Sequence, residues 1–227
     1  MGKGDNYNIF FPYINKNNLN IIFEIGSRDG LDAIALYNYF KPKNIYIFEA
    51  NNELIPVIKK NTSKYKFIIE NYAIYSTDDE IKKFYICISN IGASSLLGTI
   101  EKDYFTNNIS KIYSREKQMK SYELYQKYRI IETKTQRLDT YCKNNNIDSI
   151  DLICIDVEGV GLHVLQSLGK YIKNIKYIVC EYNKVYGRKN QDTYDEINEY
   201  LENNNFKLIK NIERDKFLGD GLWVNNM

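Results

Sequence analysis

Four apolar runs of this chain each break off at a carboxylate. "IIFEIGSRDG" carries Glu24 just ahead of Gly26, Ser27, Arg28 and Gly30, and "IYIFEAN" ends in Glu49, Ala50 and Asn51. "DLICIDVEG" ends in Asp156, Glu158 and Gly159, and "IKYIVCEY" ends in Glu181. A fifth run, "YKFIIENYAI", leads into Asn71, Tyr72 and Ala73. Carboxylates gathered at one end of several buried runs repel one another, so a purely structural sheet gains nothing from them. Gly26 and Gly30 let the backbone turn tightly and approach a ligand closely. The helix start that follows, at residues 30–33 with Asp32 in it, is a place for negative charge. The spacing is E-x-G-x-x-x-G and not G-x-G-x-x-G, and an acid two residues before the first glycine would repel a pyrophosphate. It suits a ligand with an ammonium group and a ribose. Glu49, about 20 residues further on, is placed to accept from ribose hydroxyls. A cationic amino acid, a ribose and an adenine together describe S-adenosylmethionine.

The elements that must position these residues alternate. "LNIIFEI" reads as a buried strand and "GLDAIALYNYF" as a helix with Leu31, Ile34, Ala35 and Tyr39 on one face. "KNIYIFEA" is the second strand, "NELIPVIKKN" the second helix with Pro56 in its first turn, and "YKFIIENYAI" a third strand running into a loop. This alternation implies βαβ units and a parallel sheet with right-handed crossovers. In such a sheet ligands bind at the carboxyl ends of the strands, where the strand order reverses. The pattern lapses mid-chain. "EIKKFYICI" and "RIIETKTQ" read as extra strands, and "SNIGASSLLG" as a small-residue loop. Residues 100–128 are charged, Tyr-rich and without a clean period, so about 89–128 are expected to form an insertion serving as a lid or a dimer contact. Alternation returns with "SIDLICIDVEG" and its following helix, then "IKYIVCEY" and "DTYDEINEYLENNN". "FKLIKNI" and "GDGLWVN" close the sheet as an antiparallel hairpin. Residues 1–18 read as an N-terminal extension of a single domain spanning 1–227.

The chain of 227 residues is long enough for one substantial core. Its 31 basic and 29 acidic residues give a net charge of +2, which counts against a dedicated nucleic-acid binder. No apolar run approaches the ~20 residues that span a bilayer, and no signal-peptide layout is present. The four cysteines lack C-x-x-C spacing, and three lie in apolar runs. They read as buried reduced thiols, and a cytoplasmic, reducing compartment is expected.

"FEIGSRDG", "IYIFEAN", "ENYAI", "IGASSL", "TQRLDTYC" and "IDLICIDVEGVGLHVLQSLG" occur in an order that resembles the FkbM-type methyltransferases, and "GDGLWVN" resembles the family's closing hairpin. The resemblance runs from about residue 20 to the C-terminus, with "GSRDG" standing where "GAN-G" is commoner. It implies the class I methyltransferase fold, a Rossmann-like, doubly wound seven-stranded sheet, with S-adenosylmethionine as donor. It also implies O-methylation of a hydroxyl on a sugar, glycan or other small molecule. Carried onto this chain, the turn from Glu24 through Gly26, Ser27, Arg28 and Gly30 to Asp32 would hold the methionine portion. Glu49 and Ala50 would take the ribose, Asn71, Tyr72 and Ala73 would line the adenine, and Asp156 would sit beside the transferring methyl.

Methyl transfer to oxygen needs alignment and removal of a proton. Asp156 or Glu158 would be the base, or both would hold a Mg²⁺ that lowers the hydroxyl pKa. His163, the only histidine, is a base by chemistry, but its place a turn into the helix, between Leu162 and Val164, favours a packing or surface role. Glu181, Lys184 and Arg188 are expected near the acceptor, with solvated charges as the bland alternative for the two cations. Arg28 has Asp29, Asp32 or a substrate group as partner. Three other functions compete: RNA ribose 2′-O-methylation, nicotinamide-dependent oxidoreduction, and a non-catalytic binding module on the same fold.

Overall fold

A computed structural model of the chain describes residues 7–17, 19–101, 122–214 and 216–226. The central part of the expected lid, residues 102–121, and the start of the N-terminal extension, residues 1–6, lie outside the described residues. The main sheet has seven strands: β1 (Ile21–Ile25), β2 (Asn44–Phe48), β3 (Ile68–Glu70), β7 (Ile150–Ile155), β8 (Ile175–Asn183), β9 (Phe206–Glu213) and β10 (Leu218–Asn225). Their order is β3-β2-β1-β7-β8-β10-β9. β10 alone is reversed relative to the other six strands, so the class I arrangement with an antiparallel closing hairpin is present.

The central strands are apolar because both faces are covered. Every residue of β7 is buried. One cluster, with Phe23, Ile153 and Trp223, fills one side of the sheet, and another, with Ile22, Leu36 and Leu152, fills the other. The helices on these faces are α1 (Leu31–Phe40), α2 (Ile55–Asn61), α3 (Leu138–Asn144), α4 (Gly161–Ser167) and α5 (Tyr194–Asn203). Helix α5 begins with a capping box, in which Thr193 and Glu196 satisfy each other's backbone amides. The N-terminal segment does not trail free, because Tyr7, Phe10 and Phe11 are buried in the second cluster.

The mid-chain strands make a sheet of their own. "ENYAI" does not extend the third strand. The chain leaves the main sheet after Glu70, and β4 (Ala73–Ile74) joins β5 (Ile81–Cys87) and β6 (Tyr128–Gln136) in the order β4-β6-β5. β6 pairs parallel with β4 and antiparallel with β5. Much of β6 alternates exposed and covered residues, as expected when only one face of a sheet is packed. That covered face lies over the carboxyl ends of the main strands, where Thr133 Oγ1 donates to the carbonyl of Ala50 (3.0 Å).

Register brings the strand ends level. Ile25 pairs with both Phe48 and Ile155, so the residues that follow these three, Gly26, Glu49 and Asp156, emerge side by side. β1 and β7 are also where the strand order reverses, the place at which an open α/β sheet leaves a crevice.

Candidate active site

The turn after β1 is built around a close backbone approach. Gly26 has φ +85°, and a Cβ there would stand 1.9 Å from the carbonyl oxygen of Asp156. No other residue fits. Arg28 follows in the left-handed region at φ 55°. Beneath the turn Glu24 is buried and accepts from Ser27 Oγ (2.8 Å). Burial, then Asp32, push the Glu24 carboxyl well above its usual range. Glu24 therefore braces the turn from inside.

Glu49 is fixed by two turns at once. Oε2 accepts from the Arg28 amide and Oε1 from the Asn51 amide, each at 2.8 Å. Burial raises its carboxyl, and those amides pull it back down. Each carboxylate oxygen has two lone pairs, so each can still accept from one more donor. Asn71 Nδ2 donates to the carbonyls of Glu49 (2.8 Å) and Ala50 (3.3 Å), holding the same turn from behind.

These turns open onto a pocket of about 800 Å³, counting the part open to solvent. It brings together Gly26, Ser27, Arg28, Asp32, Glu49, Ala50, Tyr72, Ala73, Asp156 and Glu158. Phe48, Leu54, Ile74 and Phe84 form an apolar slot, and Ile91, Gly92, Ser94 and Leu96 supply a wall from the small-residue loop. Glu24, Gly30 and Asn71 are not on its surface; they shape the turns that are. Asn51 lines the pocket with its side-chain Nδ2 buried and without a hydrogen-bond partner.

At the other end three carboxylates converge. Asp156, Glu158 and Glu181 each bring an oxygen within 4.8 Å of the others. Glu158 sits at φ 53° and Gly159 at φ 100°, a sharp bend that Ser95 Oγ holds by donating to the Glu158 carbonyl (2.7 Å). Burial raises the Asp156 carboxyl. Burial and the charge of Asp156 bring Glu158 up to about 7. Arg214 Nη1 donates to Glu181 Oε2 (2.8 Å), and Nη2 to Asp220 Oδ1 (2.7 Å).

Three candidate residues do not line this pocket. His163 stacks on Tyr75 with ring centroids 4.1 Å apart, and its two ring nitrogens meet Tyr75 Oη (3.1 Å) and Ser76 Oγ (3.0 Å). Its ring packs α4 against the segment after β4, and burial lowers its pKa. Arg188 is buried and donates to the carbonyls of Gly98 (2.6 Å) and Ala93 (2.9 Å), pinning the small-residue loop. Lys184 pairs with Glu213 on the closing hairpin (2.5 Å). Arg214, Asp220 and Phe84 were not expected from the sequence, and Asn51 was seen at its strand end without a role.

A mixed seven-stranded sheet with one reversed strand, and acids where β1, β2 and β7 end, define the class I S-adenosylmethionine-dependent methyltransferase fold. The sequence of residues 24–208 matches the family model described as "Methyltransferase FkbM domain", and the chain belongs to that family of S-adenosylmethionine-dependent methyltransferases. Solved structures share the fold at low identity. The M. capricolum TrmK structure with S-adenosyl-homocysteine superposes with a TM-score of 0.50 at 13% identity, covering 97% of this chain and 67% of that one. The StiE O-MT structure gives 0.52 at 8%, covering 98% and 74%. Magnesium protoporphyrin IX methyltransferase (ChlM) from Synechocystis PCC 6803, with bound SAH, gives 0.50 at 9%, covering 98% and 83%. No curated protein matches the sequence.

Proposed function

We propose that residues 1–227 form one domain that transfers a methyl group from S-adenosylmethionine to a hydroxyl of a sugar, glycan or other small molecule. The observation that carries this is a single pocket with a fixed acid at one end and a carboxylate pair at the other. The residues present fit the donor. Glu49 keeps two lone pairs for a ribose diol, and the orphaned Asn51 Nδ2 supplies a donor beside it. The apolar slot with Tyr72 and Ala73, shaped by Asn71, suits an adenine ring. Gly26, Ser27, Arg28 and Asp32 surround the methionine end, where Arg28 can answer a carboxylate and Asp32 an ammonium group.

When bound, the donor supplies an electrophilic methyl group on a sulfonium. The chain then has to align an acceptor oxygen and take its proton. Glu158, raised to about 7, is matched to accept a proton near neutral pH, and Asp156 lies beside the transfer path. Paired carboxylates also hold a polyhydroxyl acceptor by its neighbouring hydroxyls. The alternative for the same step is Mg²⁺ held by Asp156 and Glu158, which would lower the pKa of the acceptor hydroxyl in place of a carboxylate base. A cytoplasmic location is part of the same proposal, supported by four free, buried cysteines. Among the described residues no helix is long and apolar enough to cross a membrane.

The test is calorimetric titration with S-adenosylhomocysteine, with NAD⁺ and NADH as controls, followed by transfer of labelled methyl to a panel of sugars. Micromolar binding of S-adenosylhomocysteine and a base-stable methyl ether are expected. Binding of the nicotinamide nucleotides alone would overturn the donor assignment. Label found on nitrogen, or in a base-labile ester, would overturn the hydroxyl acceptor.

A further inference from the structure

The carboxylates at the Asp156 end exceed what proton removal requires, since one base suffices for one hydroxyl. Three of them, on two strands, share one small volume. Glu158 comes from the bend after β7, Asp156 from the residue next to β7, and Glu181 from within β8. An oxygen of each lies within 4.8 Å of the other two. Glu181 is 7% exposed, with Oε2 held by Arg214, while its Oε1 is sealed from solvent and has no hydrogen-bond partner. A buried carboxylate oxygen with no donor costs free energy unless a ligand answers it.

The neighbouring cations do not answer it. The Arg214 guanidinium also grips Asp220 with Nε and Nη2, so its single charge is divided between two acids. Arg188 stands 4.0 Å from Glu158 Oε2, beyond hydrogen-bond distance, with its donors on the Ala93 and Gly98 carbonyls. The cluster is made of oxygen donors only, the set that hard cations take. Opposite oxygens around Ca²⁺ stand roughly 4.6–5.2 Å apart and around Mg²⁺ roughly 4.0–4.2 Å, twice their usual bond lengths. Three oxygens within 4.8 Å of one another therefore lie at the outer edge of what one Ca²⁺ spans, and the side chains draw closer together to hold Mg²⁺.

We infer that Asp156, Glu158 and Glu181 form a three-carboxylate site for one hard divalent cation, with Arg214 as the positioning residue that turns Glu181 towards it. This deepens the proposed function by adding a buried third ligand, on the neighbouring strand, to the pair that faces the pocket. Binding of the cation does not depend on what the protein methylates.

The test uses the full chain stripped with chelator and desalted, titrated with Mn²⁺ while electron paramagnetic resonance reads the free ion. One Mn²⁺ per chain is expected, with an apparent Kd below about 100 µM, displaced by millimolar Mg²⁺ or Ca²⁺. Glu181→Gln should weaken it at least about tenfold, the scale on which metal-site groups act. Because Glu181→Gln also disturbs Arg214, Glu158→Gln, which leaves that ion pair intact, should weaken binding on the same scale. No stoichiometric Mn²⁺ at 1 mM, ~10 times the expected Kd, would overturn the site, as would binding that neither variant changes. S-adenosylhomocysteine calorimetry on the same stripped sample keeps the two proposals apart. A sample that binds S-adenosylhomocysteine but takes up no Mn²⁺ overturns only the cation site, and one that takes up Mn²⁺ but binds no S-adenosylhomocysteine overturns only the donor reading.

Discussion

Replacing Glu49 should separate the ribose contact from the structure that carries it. The carboxylate meets two amides, Arg28 N and Asn51 N, at 2.8 Å each, and offers its remaining lone pairs to the pocket. Hydrogen bonds to a charged group contribute about 1.5–3 kcal/mol each. Two ribose hydroxyls lost in Glu49→Ala, at the lower end because water enters the truncated site, amount to about 3 kcal/mol. That is a rise of roughly 150-fold in the Kd for S-adenosylhomocysteine. The same change strips two turn amides of their acceptor. With water partly replacing it, the loss in stability is about 2 kcal/mol, or about 4–8 °C in Tm for a chain of this size. Calorimetry at pH 7.5 reads the first effect and thermal unfolding the second. Ligand choice removes the ambiguity. Wild type should bind adenosine more tightly than 2′,3′-dideoxyadenosine, and Glu49→Ala should bind the two alike. A folded variant that keeps S-adenosylhomocysteine affinity within threefold of wild type, or that still prefers the full ribose, would refute the assignment.

Two further outcomes follow from the other end of the pocket and from its wall. With chelator present to keep cations off the carboxylates, Glu158 must be deprotonated to act as base and is raised to about 7, so log kcat/KM should climb as pH rises towards 7 and level off above it; a profile flat from pH 5.5 to 8.5 would remove Glu158 from proton transfer. Arg188→Met removes charged donors from the Gly98 and Ala93 carbonyls, at about 1.5–3 kcal/mol per bond. The urea midpoint and donor affinity should both fall, because the loop it pins lines the pocket; an unchanged midpoint would show that the loop is held by other contacts.

What was legible in the sequence follows from the range of each interaction. Strands β1, β2, β7 and β8 announce themselves because burial on both faces demands a continuous apolar run, and the first polar residue after the run marks the strand end. Glu49, Asp156 and Glu181 were visible for that reason. Arg214 was not. It lies in the polar stretch "NIERDKFLGD", and only the antiparallel closure of β10 onto β8 carries it to a carboxylate 33 positions away. The small sheet was half legible. β5 and β6 have strand-like patterns, but their pairing across 102–121 and the two-residue β4 leave no local trace. Arg188 and His163 looked like chemistry because charge and imidazole are read one residue at a time. Their partners, the Ala93 and Gly98 carbonyls and Tyr75 with Ser76, are between 87 and 95 positions away.

The closing hairpin explains how so many acids can share one end of the sheet. Asp220 pairs directly across from Glu181 in the β10–β8 register, and like charges directly opposite one another destabilise a sheet. Arg214, at the turn that follows β9, reaches both and converts the repulsion into two ion pairs. It reaches neither Asp156 nor Glu158 by a hydrogen bond among the described residues. The pocket therefore has ends of different electrical character. At Glu49 the charge is met by two backbone amides that cannot leave, which leaves an acid oriented for hydroxyl donors. At Asp156 and Glu158 the nearby guanidiniums are engaged with other partners, so burial raises both carboxyls. The proposed sulfonium donor and the proposed metal ion are both cations that would answer that burial. The hairpin arginine, by satisfying Glu181 on one oxygen only, keeps that end open to them.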